Sequence, residues 1–163
     1  MSFLETMFCS SIYHSTLSDE KIKKQLLKIV CNLEKNVKSN KQTNEGGYQK
    51  DLNCRDLFLS LISEELYKYE RLLNLNKKLQ LDNLWCNINY KNSYNVSHVH
   101  PNTFVRMHPE MELASDHLDF KTHFYIEPVQ NLLLIFPSYL LHEVDINNSN
   151  DKRISISFNL CIK

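Results

Sequence analysis

Arg153-Ile154-Ser155-Ile156-Ser157-Phe158-Asn159-Leu160 alternates polar and apolar side chains without a break. A period of two belongs to a strand, here with one wholly polar face (Arg153, Ser155, Ser157, Asn159) and one wholly apolar face. Just upstream, Leu140, His142 and Val144 alternate with Leu141, Glu143 and Asp145, and the Asn-rich stretch Ile146 to Lys152 joins the two segments. This arrangement predicts a β-hairpin. Pairing His142 with Ser155 and Val144 with Arg153 would set the histidine, both serines and the arginine over one space. His142 and Arg153 would then be diagonal neighbours about 7–8 Å apart at the backbone. A small dicarboxylate fits such a gap, with one end on a metal held by His142 and the other in the bidentate fork of Arg153. The chain uses arginine four times against 15 lysines, so an arginine at this place carries information.

Outward from this core, Tyr94 to His100 reads as a strand that puts Val96, His98 and His100 on one face, two imidazoles side by side at a metal-ligand spacing. An isolated His-x-His also describes an ordinary surface or core pair. Leu84, Cys86, Ile88 and Tyr90 alternate with Trp85, Asn87 and Asn89, a further strand in which Trp85 is read as core. Thr122 to Ile126 and Asn131 to Phe136 complete the strands, the last apolar on both faces and so expected to be buried on both sides. Ahead of them, Ser18-Asp19-Glu20 supplies an N-cap, and Ile22, Leu26, Ile29, Val30 and Leu33 form a helical stripe, predicting a helix over roughly 19–35. A polar loop from Asn36 to Lys50 precedes a second helix over roughly 54–74. Helices followed by strands predict one α+β domain over 1–163, with a mainly helical support (1–80) packed on one outer face of a β core (81–163).

The composition excludes several alternatives. With 163 residues, 42% of them hydrophobic, the chain can bury a core without disulfide or metal staples. Nineteen basic against nineteen acidic residues leave no electrostatic footprint for nucleic acid or an anionic membrane. Five widely spaced cysteines without a C-x-x-C pair predict reduced thiols. No leader-like opening or bilayer-length apolar run is evident, which predicts a cytoplasmic protein.

Leu84-Trp85-Cys86-Asn87-Ile88-Asn89, His98-Val99-His100-Pro101-Asn102, Leu133-Leu134-Ile135-Phe136-Pro137-Ser138-Tyr139-Leu140-Leu141-His142-Glu143-Val144 and Arg153-Ile154-Ser155-Ile156-Ser157-Phe158-Asn159 together resemble a family of 2-oxoglutarate- and Fe(II)-dependent oxygenases common in marine phages and bacteria. The resemblance covers nearly the whole chain and extends to Gly46-Gly47-Tyr48 between the helices. It implies a double-stranded β-helix, a cupin-like jelly roll, using Fe(II), 2-oxoglutarate and O2, with ascorbate as a reductant. Carried over, His98 and His142 match the iron ligands, and Arg153 with Ser155 matches the Arg-x-Ser pair that binds the distal carboxylate of 2-oxoglutarate. The implied reaction couples oxidative decarboxylation of 2-oxoglutarate to succinate with hydroxylation of a C–H bond. Its primary substrate is not legible.

The chain departs from the family at three places. The carboxylate of the usual facial triad is replaced by His100, expected as a third ligand, with a position behind the ligands as the alternative. An imidazole there would leave the metal one unit more positive and strengthen its hold on a dianion. A literal His-x-Asp exists at His117-Leu118-Asp119, but only 22 residues separate it from His142, against 41 from His100. About four strands with their loops take roughly 30–45 residues, so His117-Leu118-Asp119 is expected to be a decoy. Thr103-Phe104-Val105 runs straight into Arg106-Met107-His108-Pro109, an apparent internal deletion of a strand pair. The edge it would leave favours a homodimer. Two rivals follow: an inactive jelly-roll binding or assembly protein, and a three-histidine dioxygenase that does without 2-oxoglutarate.

Overall fold

The computed structural model of the protein describes residues 12–40, 42–100 and 125–162. His117-Leu118-Asp119, the apparent deletion after Thr103 and the start of the strand expected at Thr122 lie outside the described residues; Tyr125 and Ile126 are not in a strand. In chain order the elements are β1 (Tyr13–Thr16), α1 (Glu20–Asn36), β2 (Asn44–Glu45), β3 (Tyr48–Asp51), α2 (Arg55–Leu72), β4 (Leu79–Asn89), β5 (Tyr94–His98), β6 (Leu132–Ile135), β7 (His142–Val144) and β8 (Arg153–Ile162). No helix among the described residues is long and apolar enough to cross a membrane.

Both helices form where the apolar stripes place them. Asp19 caps α1 by accepting a hydrogen bond from the Ile22 amide at 2.9 Å, which satisfies one of the orphan donors of the first turn. The polar stretch between the helices is less loop-like than expected. It contains β2 and β3, which join the sheets through β5 and β4 respectively.

Three antiparallel groups of strands result: β2-β5-β7, β3-β4-β8 and the pair β1-β6. The long β4–β8 ladder sets Asn89 opposite Arg153, Asn87 opposite Ser155, Trp85 opposite Ser157 and Asn83 opposite Asn159. Residues opposite one another share a face, so the polar side chains of β8 continue across β4. The other face carries Leu84, Cys86 and Ile88 with Ile154, Ile156 and Phe158. It packs with Leu26 and Val30 of α1 and Phe58, Ile62 and Leu66 of α2. The Phe58 and Phe158 rings meet at 5.2 Å. A bulge between Leu81 and Asn83 shifts the phase of β4 by one residue and keeps Leu79 and Leu81 on the apolar face.

The expected β7–β8 hairpin does not form. β7 pairs with β5 and β8 with β4, so His142 is not opposite Ser155 and Val144 is not opposite Arg153. The reason lies in the connection. The Asn147 amide N–H donates to the Ser93 carbonyl at 2.9 Å, and its side-chain Nδ2 donates to the Asn89 carbonyl, also at 2.9 Å. These bonds bury Asn147 against the β4–β5 turn and carry the chain from one sheet to the other. The strand β6 is also less enclosed than its composition suggests. Among the described residues it pairs with β1 alone, and only its Leu133 and Ile135 are buried.

Candidate metal centre

β5 and β7 bring His98 and His142 directly opposite each other. Strict alternation along Tyr94 to His100 would put Val96 with His98, but a bulge between Asn95 and His98 interrupts it. The extra residue leaves Val96 and Ser97 exposed and gives His98 the face of the buried Asn95. His100 lies just past the end of β5, where its backbone N–H donates to the Ser138 carbonyl at 3.0 Å. The three rings nevertheless converge: centroids are 4.3 Å apart for His98 and His142, 5.0 Å for His98 and His100, and 5.2 Å for His100 and His142. Their candidate ligand nitrogens all lie within 4.8 Å of one another, and no other such set occurs among the described residues. His14 stands apart, on β1 opposite Leu134.

Two of the imidazoles are held in one tautomer. Nδ1 of His98 is 2.8 Å from the Val96 carbonyl oxygen, and Nδ1 of His142 is 2.9 Å from that of Leu140. A carbonyl only accepts, so each Nδ1 carries a proton, and in the neutral imidazole the lone pair is then on Nε2. Metal-bound histidines are oriented by this kind of backbone contact. Burial, followed by the neighbouring His142 and His98, pushes the His100 pKa down to about 4. Burial also lowers that of His142, although its bond to Leu140 opposes the shift. The chemistry of the set therefore suits a divalent cation: neutral nitrogen donors, partly buried, with two rings already aimed.

Neighbouring side chains frame the cluster. Phe136, which the sequence pattern did not single out, meets His142 edge-on at 4.9 Å. Trp85 is half-buried on the polar face of β4, with its ring 5.7 Å from His100, and so is not the core residue expected. Asn89 Nδ2 donates to Asn95 Oδ1 at 3.1 Å and ties the two sheets together at the Arg153 end of the ladder. Asn87 Nδ2 donates to Ser157 Oγ at 3.1 Å, while its buried Oδ1 has no partner among the described residues.

Arg153 occupies the far end of the same polar face. It stands four positions before Ser157, about 13 Å along the strand, and Ser157 is opposite the tryptophan that touches His100. Its guanidinium reaches back toward β7, where Nη2 donates to the Asp145 carbonyl at 2.5 Å. Burial lowers its pKa, and the Asp145 charge opposes the change. Ser155 is exposed, opposite Asn87. The polar face thus runs from a cationic end at Arg153, past the imidazoles, to a neutral end at Asn83 and Asn159. There a cavity of about 210 Å³ opens beside His98 and His100.

A family model described as "Putative 2OG-Fe(II) oxygenase" matches residues 105–159, about a third of the chain. The matched segment includes His142, Arg153 and Ser155 and begins after His98 and His100. No curated protein matches the chain.

Proposed function

We propose that the protein is a 2-oxoglutarate- and Fe(II)-dependent oxygenase in which His98, His100 and His142 hold the metal and Arg153 with Ser155 receives the distal carboxylate of 2-oxoglutarate. The observation that carries this reading is the convergence of three imidazoles, two with fixed tautomers, over a polar strand face that ends in a partly buried arginine. The family match over the segment containing His142, Arg153 and Ser155 supports it, and weighs against the inactive alternative.

When bound, Fe(II) with 2-oxoglutarate supplies the oxidising chemistry: O2 gives one oxygen atom to succinate, with loss of CO2, and the other to a substrate C–H bond. The protein's part is to bind and to aim. His98 and His142 present Nε2 because Val96 and Leu140 hold their Nδ1 protons. Arg153 has guanidinium N–H groups to spare beyond the one given to Asp145, and their fork matches a carboxylate. A three-imidazole set keeps the full charge of the cation, which favours a dianionic cosubstrate.

The direct test is turnover of labelled 2-oxoglutarate by the Fe(II)-loaded protein without a primary substrate. Slow release of CO2 with stoichiometric succinate is expected. Iron binding with no decarboxylation, and no 2-oxoglutarate binding, would instead support the three-histidine dioxygenase.

A further inference from the structure

We propose that the cavity beside His98 and His100 is a binding site for a small uncharged ligand bearing a planar amide or lactam edge. The inference rests on the oxygenase reading only for its role, which is to hold the group to be oxidised next to the metal. The binding chemistry itself stands on this chain's residues.

Asn83 and Asn159 face each other across the β4–β8 ladder and line the cavity. Neither side-chain amide has a hydrogen-bond partner among the described residues. Gln49, beside them in the lining, accepts from the backbone N–H groups of Gln42 and Thr43 through Oε1, at 3.2 Å each. This fixes its amide and leaves the NH2 as donor. Trp85 adds a flat apolar surface and an indole N–H. Donor and acceptor amides beside an aromatic plane complement a ligand that is itself flat and carries a C=O next to an N–H.

Charge decides what the site excludes. No Lys, Arg, Asp or Glu is among the described residues that line this cavity, so in the metal-free protein a charged ligand would lose its hydration without a compensating partner. The cationic Arg153 lies at the opposite end of the strand face, which separates a site for a dianion from one for a neutral molecule. Size points the same way. About 210 Å³ is below the roughly 300–1,000 Å³ of drug-sized pockets and suits one ring or one amide-bearing side chain.

Trp85 is the only tryptophan of the chain, so indole fluorescence comes from the wall that this cavity shares with the metal centre. The full chain, metal-free and Zn(II)-loaded, is titrated with uracil, with N-acetylalaninamide and with orotate, exciting at the red edge of the indole band. Saturable quenching by one or both neutral probes is expected, with orotate at least several-fold weaker on the metal-free protein. Response to uracil alone identifies a heterocycle as the source of the edge; response to the peptide probe identifies a peptide amide. Asn83→Ala with Asn159→Ala should weaken binding about tenfold or more through loss of two hydrogen bonds. Asn83→Ala alone, at an exposed position, carries the same test at about fivefold should the double variant not fold. No saturable response to either neutral probe, an equal response of the metal-free protein to orotate, or undiminished binding in the variants overturns the proposal. Metal and 2-oxoglutarate titrations on the same samples separate the two readings. Metal binding without probe binding sinks only the subsite, and probe binding without metal or 2-oxoglutarate sinks only the oxygenase.

Discussion

Replacing Arg153 removes the one cation placed on the polar face of β8, and the size of the effect can be worked from its surroundings. One guanidinium nitrogen is engaged by the Asp145 carbonyl, which leaves further N–H groups for a carboxylate. A hydrogen bond to a charged group contributes about 1.5–3 kcal/mol. Arg153→Gln should therefore weaken 2-oxoglutarate binding by about 10- to 150-fold, with metal affinity unchanged. Arg153→Lys keeps the charge but not the fork, and should fall between the two. The assay is titration of 2-oxoglutarate into the Mn(II)-loaded protein, followed calorimetrically, with circular dichroism to establish that each variant folds. Affinities within twofold of the unmodified protein for both variants, with the fold intact, would refute the clamp assigned to Arg153.

Other consequences are equally specific. A Cβ at residue 47 would fall on the Asn44 side-chain oxygen and the Ile88 carbonyl. Gly47→Ala should therefore cost about 3 kcal/mol, or roughly 6–12 °C in Tm by calorimetry; an unchanged Tm would show that the β3–β4 crossing is looser than described. The Glu65 carboxyl is held down at about 2 by hydrogen bonds with Lys68, Ser15 and Tyr13, the last at 2.6 Å. Its folded pKa lies below its unfolded one, so its contribution is present above pH ~4.5 and lost as pH falls toward 2. Allowing for the half-exposed Lys68, Glu65→Gln should cost about 1 kcal/mol at pH 6 and almost nothing at pH 2; an equal loss in urea unfolding at both values contradicts this. Phe158→Ala, which empties the contact with Phe58, should cost about 3–4 kcal/mol without altering metal affinity; weakened metal binding in a folded variant would show that the apolar face bears on the site.

What could be read from the chain without coordinates follows from what periodicity encodes. The stripe from Ile22 to Leu33 and the Asp19 cap determine α1 locally, and it forms within a residue of its expected bounds. Alternation in Arg153 to Leu160 likewise assigned the two faces of β8 correctly, but a face does not name its partner. The partner is chosen by long-range pairing, and β4 offers a ladder ten residues long where the three-residue β7 could not. Bulges hid the rest. The phase shift after Leu81 breaks the pattern of β4, so its first residues are unreadable as strand, and the one before His98 moves His98 off the face of Val96 and onto that of Asn95. Chemistry and spacing, not register, mark the histidines; they meet through the β5–β7 pairing, while the hairpin expected to bring His142 opposite Ser155 does not exist. Asn159 is legible on the polar face of β8 and Phe136 in an apolar strand, but nothing local ties Phe136 to His142 or Asn159 to Asn83. Their roles arise only when separate strands meet.

The most direct measurement is a titration of the metal-free protein with Co(II), read by its visible absorption and by mass spectrometry, beside His98→Ala, His100→Ala and His142→Ala. One ion per chain is predicted, with the His98 and His142 variants weakened more than about 100-fold, beyond the usual 10- to 100-fold cost of losing a residue that only orients a ligand. The same loss in His100→Ala would make it the third ligand. Stoichiometric binding that survives His142→Ala undiminished, or no binding by the unmodified chain, would contradict the three-imidazole centre.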